Sequence, residues 1–183
     1  PLRQPRHPQL ATWAQRVEAS VFALPDSLLR MQLASNLLIY HNWIGDFRKA
    51  GAIVATLKPA RTAGGEDPLP RQIWCQFEAM HAWLTRETEA CLAAVETGLA
   101  LAAETGVDLV NPQTYWHGIA ARLILHNVVG AEAYLAQLAE HLANHVAPPH
   151  PARAFFNTAA AMVATEPGDL RRAQVGEAPQ PLP

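Results

Sequence analysis

Charge is scarce in this chain. Asp, Glu, Lys and Arg make up 16% of its 183 residues, against about 25% in an ordinary soluble domain. Fourteen basic and sixteen acidic residues leave a net charge of −2, and no basic run is longer than Arg171-Arg172. The electrostatic footprint that nucleic-acid binding requires is therefore missing. Long apolar runs are missing too. Stretches such as Cys91 to Ala94 and Gly98 to Ala103 fall far short of the roughly 18 to 20 residues of a membrane span, and no signal-peptide layout opens the chain. The two cysteines, Cys75 and Cys91, are too few for a disulfide framework and suit a reducing, cytoplasmic setting. Phosphate-binding glycine loops, nucleophile elbows and paired-cysteine redox motifs do not occur. Neither an enzymatic role nor a cofactor is expected.

Apolar residues, by contrast, make up half of the chain. With so little charge beside them, part of the surface is expected to be covered by something else, most simply by more of the same polypeptide. The start at Pro1 and the Pro-rich ending after Ala173 support reading the chain as a segment of a longer protein. The hexapeptide Gly-Asp-Phe-Arg-Lys-Ala ending at Ala50 returns as Gly-Asp-Leu-Arg-Arg-Ala ending at Ala173. Weaker copies end at Ala90 and Ala131, so the anchor alanines fall 40, 41 and 42 residues apart. A period in this range is the signature of stacked helical hairpins, each leaning on its neighbours to bury its apolar face. The anchors would then sit where two helices cross closely.

Apolar spacings of three and four, with Gly and Pro clusters between the periodic stretches, predict an all-α chain. Helices are expected over 9–23, 27–43, 47–57, 71–84, 88–104, 112–125, 130–145 and 152–165. Hairpin turns fall at Gly45-Asp46, Thr85-Arg86, His126-Asn127 and Gly168-Asp169, and the longest loop spans 59–70 around Gly64-Gly65. Asp26 or Ser27 is placed to cap the second helix, and Asn111 followed by Pro112 to cap the sixth. The organisation is a flexible segment over 1–8, a repeat domain over 9–175 and a flexible tail over 176–183.

The segment Ala34 to Ala50, with its Gly-Asp turn and the small residue after it, resembles a tetratricopeptide hairpin, with a period longer than the usual about 34 residues. Long, alanine-rich hairpins of this kind are similar to the helical repeat region of large bacterial transcription regulators of the maltose-regulator type. The resemblance implies a right-handed superhelix whose first helices line a concave groove. Counting back from the anchors, Gln32, Gln72 and Gln113 share one offset. Ser35, Cys75 and Trp116 share a second, and Trp43, Trp83 and Ile124 a third. Glutamine amides and flat tryptophan surfaces suit an extended peptide or a small ligand, although the same tryptophans could fill gaps between repeats. The expected partner is a protein, a peptide or a small-molecule effector in that groove, with no direct contact to nucleic acid or membrane and with self-association of the isolated segment. The alternative is a passive structural scaffold or oligomerisation module, and a metal-dependent enzyme comes last. His41 and His81 share an offset nine before their anchors and are read as hydrogen-bonded structural residues. His141 and His145, at i and i+4, supply too few ligands for zinc.

Overall fold

The computed structural model describes residues 7–25, 27–57, 67–145 and 151–165. These form eight helices and no strand: α1 (Leu10–Ala23), α2 (Leu28–Ile44), α3 (Phe47–Leu57), α4 (Pro68–Leu84), α5 (Thr88–Thr105), α6 (Asn111–Ile124), α7 (Val128–His145) and α8 (Ala152–Ala164). The predicted all-α class and helix order are observed. Asp26, the Gly64-Gly65 loop, the Gly168-Asp169 turn, the anchor Ala173 and the tail lie outside the described residues.

Helix starts follow from local hydrogen-bond chemistry. The Ser27 hydroxyl accepts from Arg30 N at 3.2 Å, and the Asp67 carboxylate accepts from Leu69 N at 3.1 Å. Each thereby satisfies a backbone donor with no partner inside the helix. Helix α4 begins at Pro68, three residues earlier than predicted, because Pro68 to Pro70 fall in its first turn, where missing N–H groups cost nothing. Helix α7 likewise begins at Val128 rather than Gly130. There Asn127 Oδ1 accepts from Gly130 N at 2.8 Å.

The chain divides into two compact units, one ending at Val110 and one starting at Asn111. In the first, α2 pairs with α3 and α4 with α5, while α2 also packs on α1 and on α4. Its core joins Val21 of α1, Leu37 and Leu38 of α2, Ile53 and Leu57 of α3 and Trp74 of α4. Each such aliphatic side chain contributes about 1.5 to 3 kcal/mol by leaving water. In the second unit α6 pairs with α7, and α8 packs on both. Leu138, Ile119 and Ala159 are fully buried there.

Three hairpin turns repeat one backbone motif. Gly45, Arg86 and His126 each take a left-handed conformation, with φ of 78°, 63° and 54°. Their N–H groups donate to Asn42, Trp83 and Leu123, three residues back. The next N–H, of Asp46, Glu87 and Asn127, donates to His41, Ala82 and Arg122 at 2.9, 2.8 and 2.8 Å. This closure satisfies the last carbonyls of the outgoing helix. The returning helix then opens with the N–H groups of Ala50, Cys91 and Ala131 donating to the carbonyls of Asp46, Glu87 and Asn127.

The period is therefore real, but the second copy is shifted by one residue from the predicted register. Its turn lies at Arg86-Glu87, not Thr85-Arg86, and its anchor is Cys91. Ala50, Cys91 and Ala131 are completely buried, whereas Ala90 is exposed. The physical reason is that the left-handed position belongs to Arg86 in this copy, without the glycine that marks it in the first.

Candidate functional site

The predicted groove residues do not share one environment. On α2, Gln32 and Trp43 lie three turns apart on the outward face, and Trp43 is 61% exposed. Ser35 turns inward and donates to Met31 O at 2.8 Å. On α4, Gln72 is only 1% exposed, and its amide nitrogen donates to the carbonyl of Val107. Cys75 is buried as well, at the base of a shallow depression with Arg71, Thr97, Ala100, Leu101 and Glu104. Trp83 is half-buried. In the second unit Gln113 and Trp116 are half-buried on α6. The Gln113 carbonyl meets His117 Nδ1 at 2.8 Å, and Trp116 stands edge-on to His117 with ring centroids 5.1 Å apart.

Counting from the correct anchor Cys91 replaces the α4 residues. Gln32, Asn36, Ile39 and Trp43 of α2 then correspond to Ile73, Phe77, Met80 and Leu84 of α4, at spacings of four, three and four that keep them on one side of each helix. All four α4 residues are half-buried, Phe77 among them packed against the core of the first unit, and Gln32, Asn36 and Trp43 are exposed. The same count gives Gln113 and Ile124 on α6, both at least partly accessible. None of these side chains is charged. The apolar periodicity at Ile73, Phe77, Met80 and Leu84 was visible in the sequence and would have revealed this face without any alignment to a glycine.

A second constellation lies inside the first unit. His41 and Asn42 of α2 and His81 of α4 are 2%, 5% and 6% exposed. His81 Nδ1 is 2.8 Å from Asn42 Oδ1, which makes Nδ1–H the donor and leaves Nε2 with the lone pair. A Cβ placed on Gly51 of α3 would lie 3.6 Å from that Nε2, so the ring edge faces α3 at Gly51. Neither ring nitrogen of His41 nor the amide nitrogen of Asn42 has a hydrogen-bond partner. The nearest acid to His41 is Asp46, whose Oδ2 is 4.0 Å from Nδ1. Burial depresses the basicity of both rings below the ordinary histidine range. For His41, Glu18 and Asp46 oppose the effect and Lys49 adds to it; for His81, Glu87 and Glu78 oppose it. Lys49 is itself bound to Glu18 of α1 at 2.9 Å. In the true register His81 corresponds to Tyr40 and Ala121, and His41 to Ala82 and Arg122. The two histidines thus do not share a repeat position: His81 reaches across to Asn42 of α2, whereas the charged groups around His41 come from α1, the turn and α3.

The second unit has a smaller aromatic group. Tyr115 of α6 lies 6.2 Å from Tyr134 and 6.5 Å from His141 of α7, between ring centroids, and the Arg122 guanidinium is 5.8 Å from the Tyr134 ring. Burial raises the Tyr115 hydroxyl above its ordinary range, with Glu140 and Tyr134 adding to the effect. Burial pushes His117 down to about 4 against a smaller opposing effect of its bond to Gln113. Among the described residues no three His, Cys, Asp or Glu side chains converge as metal ligands would, and no helix is long and apolar enough to cross a membrane.

No family model, curated protein or solved structure matches this chain.

Proposed function

We propose that this chain is a non-enzymatic interaction segment built of tetratricopeptide-like hairpins, which receives a protein or peptide partner along the outward faces of its first helices. The observation that carries this reading is the uncharged stripe of Gln32, Asn36 and Trp43 on α2 with its half-buried counterpart Ile73, Met80 and Leu84 on α4. A tryptophan as exposed as Trp43 beside amide groups provides flat apolar area with nearby hydrogen-bonding capacity, the mixture found where partners anchor. Recurrence at equivalent positions supports a site that reads an elongated partner, one hairpin after another. The right-handed superhelix and the cytoplasmic regulator setting implied by the tetratricopeptide-like resemblance belong to the same proposal.

Selection of random displayed peptides against the purified chain tests it. Peptides that use this face should lose about tenfold or more affinity for Trp43→Ala and for Met80→Ala, while both variants keep the helical circular dichroism of the parent. If the recovered peptides bind both variants as tightly as the parent, the face is not the reading surface and the passive scaffold is favoured.

A further inference from the structure

We propose that the outward face of α2 pairs with the same face of a second copy of this chain, antiparallel and with Asn36 on the two-fold axis. The inference rests on the reading face proposed above and names the partner that its α2 part takes. A helix with no charged face is normally buried, and α2 has none. Its 17 residues include one charged side chain, Arg30, which is turned toward α1 and donates from Nε to Val21 O at 2.8 Å. Helices α1, α3 and α4 pack on α2, where Met31, Ala34, Leu37 and Leu38 are buried. The opposite side stays open, and Leu29 and Trp43 on it are 56% and 61% exposed.

The order of residues along that side selects the occupant. Leu29, Gln32, Asn36, Ile39 and Trp43 follow one another at spacings of three, four, three and four, the alternation with which two helices interdigitate along a seam. Asn36 is the midpoint, with Leu29 seven residues before it and Trp43 seven after. Two copies running antiparallel therefore set each Trp43 beside the smaller Leu29 of the other copy, and each Gln32 beside Ile39, whereas a parallel pair drives the two tryptophans together. Asn36 then meets its own counterpart. An amide can bond to its own copy because it carries a donor and an acceptor at once, which a carboxylate or an ammonium does not. One N–H of the Asn36 amide donates to Gln32 O at 2.9 Å, leaving its carbonyl oxygen and second N–H for the other copy. An amide in an apolar seam also fixes register, since a slip would bury it unpaired. Lack of charge on the face completes the self-match, because no like charges meet across the axis. A foreign partner would not call for this symmetry about Asn36.

The oligomeric state of the purified chain tests the seam. Two helices in contact over about 21 Å bury less than the roughly 800 Å² per partner of a standard interface, so dimerisation is expected at micromolar concentration. Sedimentation equilibrium between about 5 and about 500 µM should show monomer and dimer in exchange. Asn36→Lys, which sets two ammonium groups on the axis, should weaken the dimer about tenfold or more while the helical circular dichroism stays that of the parent. On mild oxidation Asn36→Cys chains should cross-link to one another, and Trp43→Cys chains should cross-link with Leu29→Cys chains but not among themselves. A monomer throughout the range overturns the seam, as does a dimer that Asn36→Lys leaves intact, or Trp43→Cys chains that cross-link to each other as readily as to Leu29→Cys chains. The reading face fails separately. A monomer whose selected peptides lose affinity for Trp43→Ala removes the seam and keeps the face, whereas a monomer whose peptides ignore that substitution removes both.

Discussion

Ala90 and Cys91 are adjacent in the chain and opposite in environment, the first exposed and the second fully buried. Enlarging a residue where two helix backbones approach forces neighbouring side chains off their rotamers, which costs about 1 to 3 kcal/mol. Ala50→Leu and Ala131→Leu should therefore lower the melting temperature, whereas Ala90→Leu should leave it nearly unchanged; thermal unfolding of the three variants checks this. Gln72 belongs to the same lesson. Its repeated spacing with Gln32 and Gln113 suggested a ligand contact, yet it ties α4 to the Val107 carbonyl from a fully buried site. Gln72→Ala should thus cost roughly 1 to 3 kcal/mol by leaving that carbonyl without its donor, measured by urea unfolding. Residue identity at a repeated spacing could not separate these roles, because one residue of slip moves a side chain by about 100° around the helix.

The elements were more legible than the register joining them. Helix identities followed from apolar periodicity and from the Ser27 cap, whereas the Asp67 cap of α4 fell inside the predicted 59–70 loop; α3 has the predicted bounds. Turn positions were harder to read, since a left-handed residue is signalled by glycine at 45 but is an arginine at 86 and a histidine at 126. Residues with a Cβ are disfavoured in that conformation by about 1 to 2 kcal/mol. Arg86→Gly and His126→Gly should accordingly raise thermal stability by up to about 1 kcal/mol after the greater chain entropy of glycine is offset, and Gly45→Ala should lower it by a similar amount. A ranking in which all three substitutions destabilise would contradict the shared turn geometry.

At the scale of the whole molecule the buried histidines give stability a definite dependence on pH. His117 is held near 4 in the folded state, below its ordinary value of about 6.5 in an unfolded chain. Because the unfolded state binds the proton more tightly, this contribution is fully present above the unfolded value, declines as pH falls through it, and is lost by the folded value. The largest loss, from about 2.5 units of difference, is about 3 kcal/mol. Chemical unfolding of the unit containing α6, α7 and α8, followed at Trp116, should show its midpoint falling steadily below about pH 6.5. His117→Gln should flatten that fall. Composition announced eight histidines but could not say which ones burial would keep neutral, since that depends on the neighbours each ring meets after folding.

The two cysteines offer a way to time the opening of the α4–α5 hairpin without any added label. Cys91 is sealed at the start of α5, and burial pushes its thiol up to about 12; Cys75 is nearly as inaccessible on the facing helix. Alkylating reagents attack the thiolate, so in the closed hairpin both sulfurs are protected by lack of access and Cys91 also by scarcity of the reactive form. Modification must wait until α4 and α5 separate. The yield of alkylated cysteine against time then becomes a clock for the opening of this one hairpin, set by the protein rather than by the reagent wherever reclosing is slower than the chemistry.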